Sequence, residues 1–334
     1  MVNALIKKLY RKFVPSTVRT KIRWITHRKE LNASKAHIEC QETYFKAHMD
    51  EFRIDDTRKT DILRNFALLK KKGKTGFPEM NTTTYEKYFT RELKIEKDLH
   101  TGLFYVLIDN KKLFYKKNTD EKLINHSFNS VSIEQDYTSP HRYLTNDQYF
   151  VGVMKIDPKQ VNMDNYESFG VNDGDVVVDG GAAEGNFALS VVEKASKVYI
   201  IENDANWCEA LKQTFSPYKE KVEIIQKCLS NVTDSNNITL ADLIKTYHID
   251  KIDFLKMDIE GYEKQALKGG ITDNTKFSNI KKMAICVYHT PEDEKEISNF
   301  VTHYGYKFYL TDGYIYFPDS KNPPIRKAVL RAHI

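Results

Sequence analysis

Cysteine is scarce: four of 334 residues, at Cys40, Cys208, Cys228 and Cys286, with no Cys-x-x-Cys pair among them. That argues against a disulfide framework or a zinc site and for buried, inert thiols in a reducing compartment. No run approaches the roughly 18 uninterrupted apolar residues that a membrane span requires. The N-terminus also lacks the apolar block and small-residue cleavage site of a secretory signal, so a chain that stays in the cytoplasm is expected. Internal repeats and low-complexity tracts are absent as well.

Acid is missing from the first 29 residues, which hold nine lysines and arginines. The other 305 residues carry 42 basic and 46 acidic side chains, a balance of −4, so the net +5 belongs to an arm and not to the body. Overall basicity is therefore poor support for nucleic-acid binding by the whole chain. In "ALIKKLYRKFV" the positions Leu5, Leu9 and Phe13 share a helical face, with Lys7, Lys8, Arg11 and Lys12 on the other side. Such a helix suits either peripheral contact with an anionic membrane at the inner face or docking on its own domain.

From Asn32 to Lys74 the pattern is polar and helical. "KKKGKTGFPEMNTT", residues 70–83, reads as a linker. "GLFYVLIDNKKLFYKK", residues 102–117, reads as two strands around an Asp109-Asn110 turn.

Past residue 171 strands and helices alternate. "DVVVDGG" is continuously apolar, as befits a strand buried on both faces of a parallel sheet, and "GNFALSVVEKA" follows as a helix. "KVYIIEND", "VEIIQKCLS", "IDFLKMDIEG" and "KKMAICVYH" supply further strands with helices between them. The fold class is α/β, a Rossmann-like doubly wound sheet with a mainly helical N-terminal extension. "YKFYLTD" and "YIYFP", residues 306–318, are expected to finish the sheet as an edge hairpin. The basic, apolar tail "SKNPPIRKAVLRAHI" is expected to close over the site or to pack on the N-terminal helices.

In such sheets ligands bind at the carboxyl ends of the strands where strand order reverses. The first turn there, "VVVDGGAAEGNFALS", fails the dinucleotide fingerprint: in the frame from Gly180 the second glycine is Ala182. It reads instead as Asp-x-Gly-x-x-x-Gly through Asp179, Gly181 and Gly185. A carboxylate at the strand tip repels a pyrophosphate and attracts a ligand bearing ammonium and sulfonium charge, while Gly181 and Ala183 admit it close to the backbone. S-adenosylmethionine is such a ligand. Glu202, 23 residues on, ends the second strand, where a carboxylate can accept hydrogen bonds from ribose hydroxyls. Asn186 belongs to the same turn, and Asn203 or groups near Cys228 and Leu229 are candidates to line the adenine.

The fourth strand ends in "LKMDIEGYEKQALKG". This Lys-x-Asp-x-Glu-Gly-x-Glu run, following a glycine-rich "DGGAAEGNFALS" turn, resembles the signature of the FkbM family of methyltransferases. "MAICVYHTPEDEKEI" and "YKFYLTD" are similar to the strand, histidine and helix that follow it there. The resemblance spans about residues 134–318 and departs at Gly180 and at Ala182 to Ala183, where many members have other small residues or asparagine. It implies a class I methyltransferase fold and adenosylmethionine-dependent O-methyl transfer, in a branch that modifies sugars of bacterial surface glycans such as capsule or lipopolysaccharide. The domain reading is then residues 1–100 as a basic helical accessory region, 101–165 as a hairpin and connecting segment, and 166–334 as the methyltransferase domain.

Methyl transfer to an alcohol needs the acceptor oxygen positioned and its proton removed. Asp258, Glu260 and His289 end adjacent strands on the cofactor side. His289, with an ordinary pKa near 6.5, is the preferred base, held by one of the carboxylates; either carboxylate can alternatively bind sugar hydroxyls or serve as the base. The same three residues make a donor set for Mg²⁺ or Mn²⁺, ranked below metal-free catalysis because no tight ligand spacing is visible. Lys256 is a candidate for acceptor binding, and Glu263 reads as a solvent-facing helix residue. In "DYTSPHRYL", His141 and Arg142 are candidates to clamp the acceptor, or the loop simply braces the domain. Two alternatives stand beside the sugar reading: a nucleic-acid methyltransferase using the basic arm, which lacks an Asn-Pro-Pro-Tyr-like motif or a Pro-Cys pair, and a non-catalytic binding protein on the same fold.

Overall fold

The computed structural model describes residues 93–108, 110–124, 169–272, 276–277, 279–310, 315–316, 325–326 and 329–334, together with positions 39, 42–43, 45–47, 60, 63 and 67. The chain divides into two units, Met1–Asn81 and Thr82–Ile334, with the division at the end of the glycine- and lysine-rich stretch read as a linker. In the first unit every described position is helical, with Lys46 and Glu42 paired at 2.7 Å one turn apart. The basic stretch 5–13 lies outside the described residues.

The second unit opens with a three-stranded antiparallel sheet of β1 (Glu96–Lys97), β2 (Phe104–Ile108) and β3 (Lys111–Phe114). Asn110 takes φ 65° in the β2–β3 turn, as the sequence led us to expect of a tight hairpin. The hairpin packs on the main core through Val106 and Leu113, and the Phe114 N–H donates to Thr214 Oγ1 at 3.0 Å.

The body follows: β4 (Val176–Gly180), α1 (Asn186–Val191), β5 (Lys197–Ile201), α2 (Ala205–Thr214), β6 (Val222–Ile225), the short pair β7 (Cys228–Leu229) and β8 (Asn237–Ile238), α3 (Leu240–Thr246) and β9 (Ile252–Met257). Then come α4 (Glu263–Lys268), the short pair β10 (Ile271–Thr272) and β11 (Lys276–Phe277), β12 (Ile280–Cys286), α5 (Asp293–His303), β13 (Lys307–Leu310), the short pair β14 (Ile315–Tyr316) and β15 (Ile325–Arg326), and β16 (Val329–His333). Seven strands form one sheet in the order β13-β16-β12-β9-β4-β5-β6. β6, β5, β4, β9 and β12 run parallel, and β16 lies antiparallel to both of its neighbours. This is a Rossmann-like doubly wound sheet with one antiparallel strand inserted beside its β13 edge.

Side-chain alternation splits the core in two. Val177, Phe254 and Ala284 join α1 and α2 on one face, whereas Val178, Leu255 and Ile285 join α3, α4 and α5 on the other. Covering both faces is why these strands read as unbroken apolar runs.

One expectation is corrected. β13, from "YKFYLTD", is an edge strand of the sheet as expected, but residues 306–318 do not form its hairpin: among the described residues β14 pairs with β15, and the strand entering between β12 and β13 is β16, from the tail expected to lie over the site or the N-terminal helices. Val329, Leu330 and Ala332 are fully buried there, and so is Arg331, the residue that disguised the run as basic surface. Among the described residues no helix is long and apolar enough to cross a membrane.

Candidate active site

The chain runs outward through β4, β5 and β6 and then returns to place β9 on the other side of β4. At this reversal the loops after β4 and β9 diverge, which is where open α/β sheets bind ligands. A cavity of about 600 Å³ lies there, bounded by the turns after β4, β5 and β9 and by β7. That volume falls in the range of small-molecule sites.

Two turns meet at its floor. Gly181 has φ +71°, and a Cβ on it would fall 1.9 Å from the Asp258 carbonyl oxygen, so only glycine lets the β4 and β9 turns touch. Gly185, at φ +86°, seats the start of α1 against Leu211 and Phe215, where a Cβ would come within 2.6 Å and 3.0 Å. Gly185 and Asn186 thus shape the turn from behind; Asn186 Nδ2 donates to Glu184 Oε1 at 2.6 Å.

Gly181, Ala183, Glu202, Asn203 and Asp204 line one wall, and Cys228, Leu229 and Ser230 line the next. Glu202 is anchored by two backbone donors, the Ala183 N–H to Oε2 and the Asp204 N–H to Oε1, each at 2.9 Å. Its orientation at the cavity is therefore fixed in advance. Trp207 adds an indole, with the Lys116 ammonium 4.9 Å from its ring centre.

Asp179 and Lys256 are placed differently from the expectation. Both are buried, and Lys256 Nζ lies 3.0 Å from Asp179 Oδ1 while donating to the Gly181 carbonyl at 2.7 Å and the Gly180 carbonyl at 3.2 Å. Burial disfavours the Lys256 charge, yet Asp179 and Asp258 outweigh it and hold its pKa above the ordinary lysine value. Neither residue lines the cavity: Asp179 spends its charge beneath the turn, and Lys256 ties that turn to β9 without facing an acceptor.

The opposite wall holds Asp258, Glu260 and Tyr262. Asp258 Oδ1 accepts from Tyr288 Oη at 2.9 Å and faces His289 Nε2 at 3.4 Å. Glu260 takes φ 57° ahead of Gly261 at φ +93°, a left-handed pair that swings its carboxylate to the mouth, 91% exposed and 3.8 Å from Nε2. Non-glycine backbone of this kind is costly and concentrates at functional turns. Glu263, in the first turn of α4, is fully buried, contrary to its solvent-facing reading; its Oε1 accepts the Ile259 N–H at 2.8 Å and lies 3.2 Å from His289 Nδ1.

These contacts decide what His289 can do. Burial alone would lower its pKa, but Asp258 and Glu263 hydrogen-bond and attract the charged ring, and their sum raises it to about 10. A ring held toward its charged form by two carboxylates favours keeping its proton, which makes Asp258 and Glu260 at the cavity the candidate proton acceptors.

His141 and Arg142 lie outside the described residues. Trp207, Lys227, Tyr262, Glu263 and Tyr288 were missed as site residues. Of these, Tyr262 and Glu263 lie inside "LKMDIEGYEKQALKG" and Tyr288 directly precedes His289, so their nearness in sequence to Asp258 and His289 was the available signal.

Residues 157–308 match the family profile described as the methyltransferase FkbM domain. Among solved structures, one titled methyltransferase FkbM from Methylobacillus flagellatus KT is 22% identical with a TM-score of 0.38, covering 49% of this chain and 44% of that one. An rRNA methylase from Streptococcus thermophilus is 16% identical with a TM-score of 0.34 over 49% of this chain and 88% of that one. A Streptococcus mutans structure described as a candidate methyltransferase in complex with SAH is 15% identical with a TM-score of 0.32 over 49% and 90%. Comparison with curated proteins finds no match.

Proposed function

We propose that this chain, which carries a methyltransferase FkbM domain over residues 157–308, methylates a hydroxyl of a sugar in a surface glycan or its precursor, with S-adenosylmethionine as donor. The observation that carries the reading is the cavity at the sheet's reversal, with a preset Glu202 carboxylate on one wall and the Asp258 and Glu260 carboxylates on the other. The residues fit the cofactor: Glu202 to accept from ribose hydroxyls, Gly181 and Ala183 to admit it to the backbone, Asn203, Cys228 and Leu229 beside the base. When bound, it supplies a methyl group on a sulfonium, which leaves as a neutral thioether as the acceptor oxygen forms its new bond to carbon.

The chain's own part is to orient the acceptor and hold its proton. Asp258 and Glu260 face the cavity as proton acceptors, and protonated His289 pins Asp258 from behind. Tyr262, 60% exposed at the rim, offers a ring face against which a pyranose can stack. Against a nucleic-acid acceptor stands the acidity of the lining: Glu202, Asp204, Asp258 and Glu260 face it, and the ammonium of Lys227 is bonded to the carbonyls of Asp234, Ser235 and Asn237. The polyanionic backbone of a nucleic acid is repelled by such a surface.

The test is incubation of the full chain with methyl-labelled adenosylmethionine and fractionated glycans, nucleotide sugars and RNA. Label in an alkali-stable ether on sugar, lost in Asp258→Asn, is expected. Label confined to RNA or protein contradicts the reading, and a chain that binds no cofactor supports a non-catalytic role.

A further inference from the structure

The signature's acidic residues do more than line the cavity. Asp258, Glu263 and His289 come from the β9 turn, the first turn of α4 and the end of β12, yet each offers a donor atom within 4.8 Å of the others. We propose that these three side chains bind a divalent first-row cation, of which Mn²⁺ is representative, beside the acceptor position.

Two independent observations point to a cation. The first is the donor set itself: two carboxylates and one imidazole form an oxygen-rich set that Mn²⁺ accepts, and the imidazole nitrogen makes it less suited to Mg²⁺ and Ca²⁺, which take oxygen ligands. The second is Glu263. This side chain is fully buried, its Oε1 accepts from the Ile259 N–H, and no hydrogen-bond donor reaches Oε2 among the described residues. A buried carboxylate oxygen left in this way is costly, and a nearby positive charge removes the cost. Lys256, the buried lysine among the described residues, is paired with Asp179, and the His289 ring meets Oε1 and not Oε2.

The inference rests on the methyl-transfer reading for its purpose. Ordinary carboxylates are weak bases toward an alcohol. Binding the cation would release the His289 proton to solvent, since a ligating imidazole is neutral, and would turn Asp258 from proton acceptor to ligand. A cation so held would polarise the acceptor O–H, leaving Glu260 at the mouth to take the proton as the oxygen gains its methyl group. The arrangement retains the sequence's Asp258 and His289 as ligands and moves Glu260 from ligand to proton acceptor, with Glu263 in its place.

The full chain, stripped with a chelator, is titrated with MnCl₂ while free Mn²⁺ is read by electron paramagnetic resonance, with circular dichroism and adenosylmethionine binding measured on the same samples. One Mn²⁺ per chain is expected, with affinity ~10-fold lower or worse in Asp258→Asn and in Glu263→Gln. If Glu263→Gln does not fold, His289→Gln takes its place. A folded chain with no saturable Mn²⁺ site overturns the proposal, as does a site whose affinity is unchanged in every folded variant. Since no acceptor is present, a chain that binds one Mn²⁺ but methylates no sugar supports the cation site and counts against the sugar reading alone.

Discussion

Lys256 and Asp179 form a buried ion pair, Nζ to Oδ1 at 3.0 Å, beneath the turn that borders the cavity. The pair explains why an acid ends β4 without reaching a ligand. It also makes a stability prediction, because removing one partner of a buried pair leaves an uncompensated charge. Lys256→Met should destabilise the chain by about 3–5 kcal/mol, and Asp179→Asn combined with Lys256→Met should recover much of that loss. Urea unfolding followed by circular dichroism measures both; a single-variant loss below about 1 kcal/mol would show that the pair is not buried in solution.

Gly181 carries a second prediction. With φ +71° and the Asp258 carbonyl 1.9 Å from where a Cβ would sit, Gly181→Ala must push the β4 and β9 turns apart. The variant should lose at least tenfold in adenosylmethionine affinity, about 1.4 kcal/mol, and lower the melting temperature as well. Wild-type affinity and melting in Gly181→Ala would mean that the two turns do not touch.

His289 sets a pH dependence in the chelator-treated chain. Its folded pKa, about 10, lies above the ordinary value of the unfolded ring, so its contribution to stability is complete below about pH 6.5 and is lost as pH rises through 10. The gap in unfolding free energy between wild type and His289→Gln should therefore be largest near pH 6 and shrink steadily toward pH 10.5. A gap that stays constant across that window contradicts the imidazolium, and one that widens reverses its sign.

The alternation of apolar runs and glycine-rich turns from residue 171 made the parallel half of the sheet legible, because the runs are short, β-branched and bounded by turn residues, which marks strands buried on both faces where periodicity alone cannot. β16 was not legible: "VLRAH" carries a basic residue that becomes wholly buried, and nothing local says that a strand so late in the chain slides between two earlier ones. Glu202 and Asp258 stand at the cavity because strand ends are geometrically determined. The fates of Asp179, Lys256 and Glu263 were hidden because burial of a charge depends on a partner from another strand or helix. Of the acids at 179 and 202, expected to share the attraction of a cationic nucleoside, only Glu202 faces the cavity.

That leaves Glu202 as the residue on which the account is most directly tested. Isothermal calorimetry of the full chain with adenosylmethionine and, separately, with NAD should show one adenosylmethionine per chain and no dinucleotide. Glu202→Gln, which exchanges one anchored acceptor oxygen for a donor amide, should weaken binding by about 10- to 100-fold, the equivalent of one hydrogen bond to a charged group. Unchanged affinity in Glu202→Gln, or a dinucleotide bound where adenosylmethionine is not, would contradict the central claim that this carboxylate holds the cofactor.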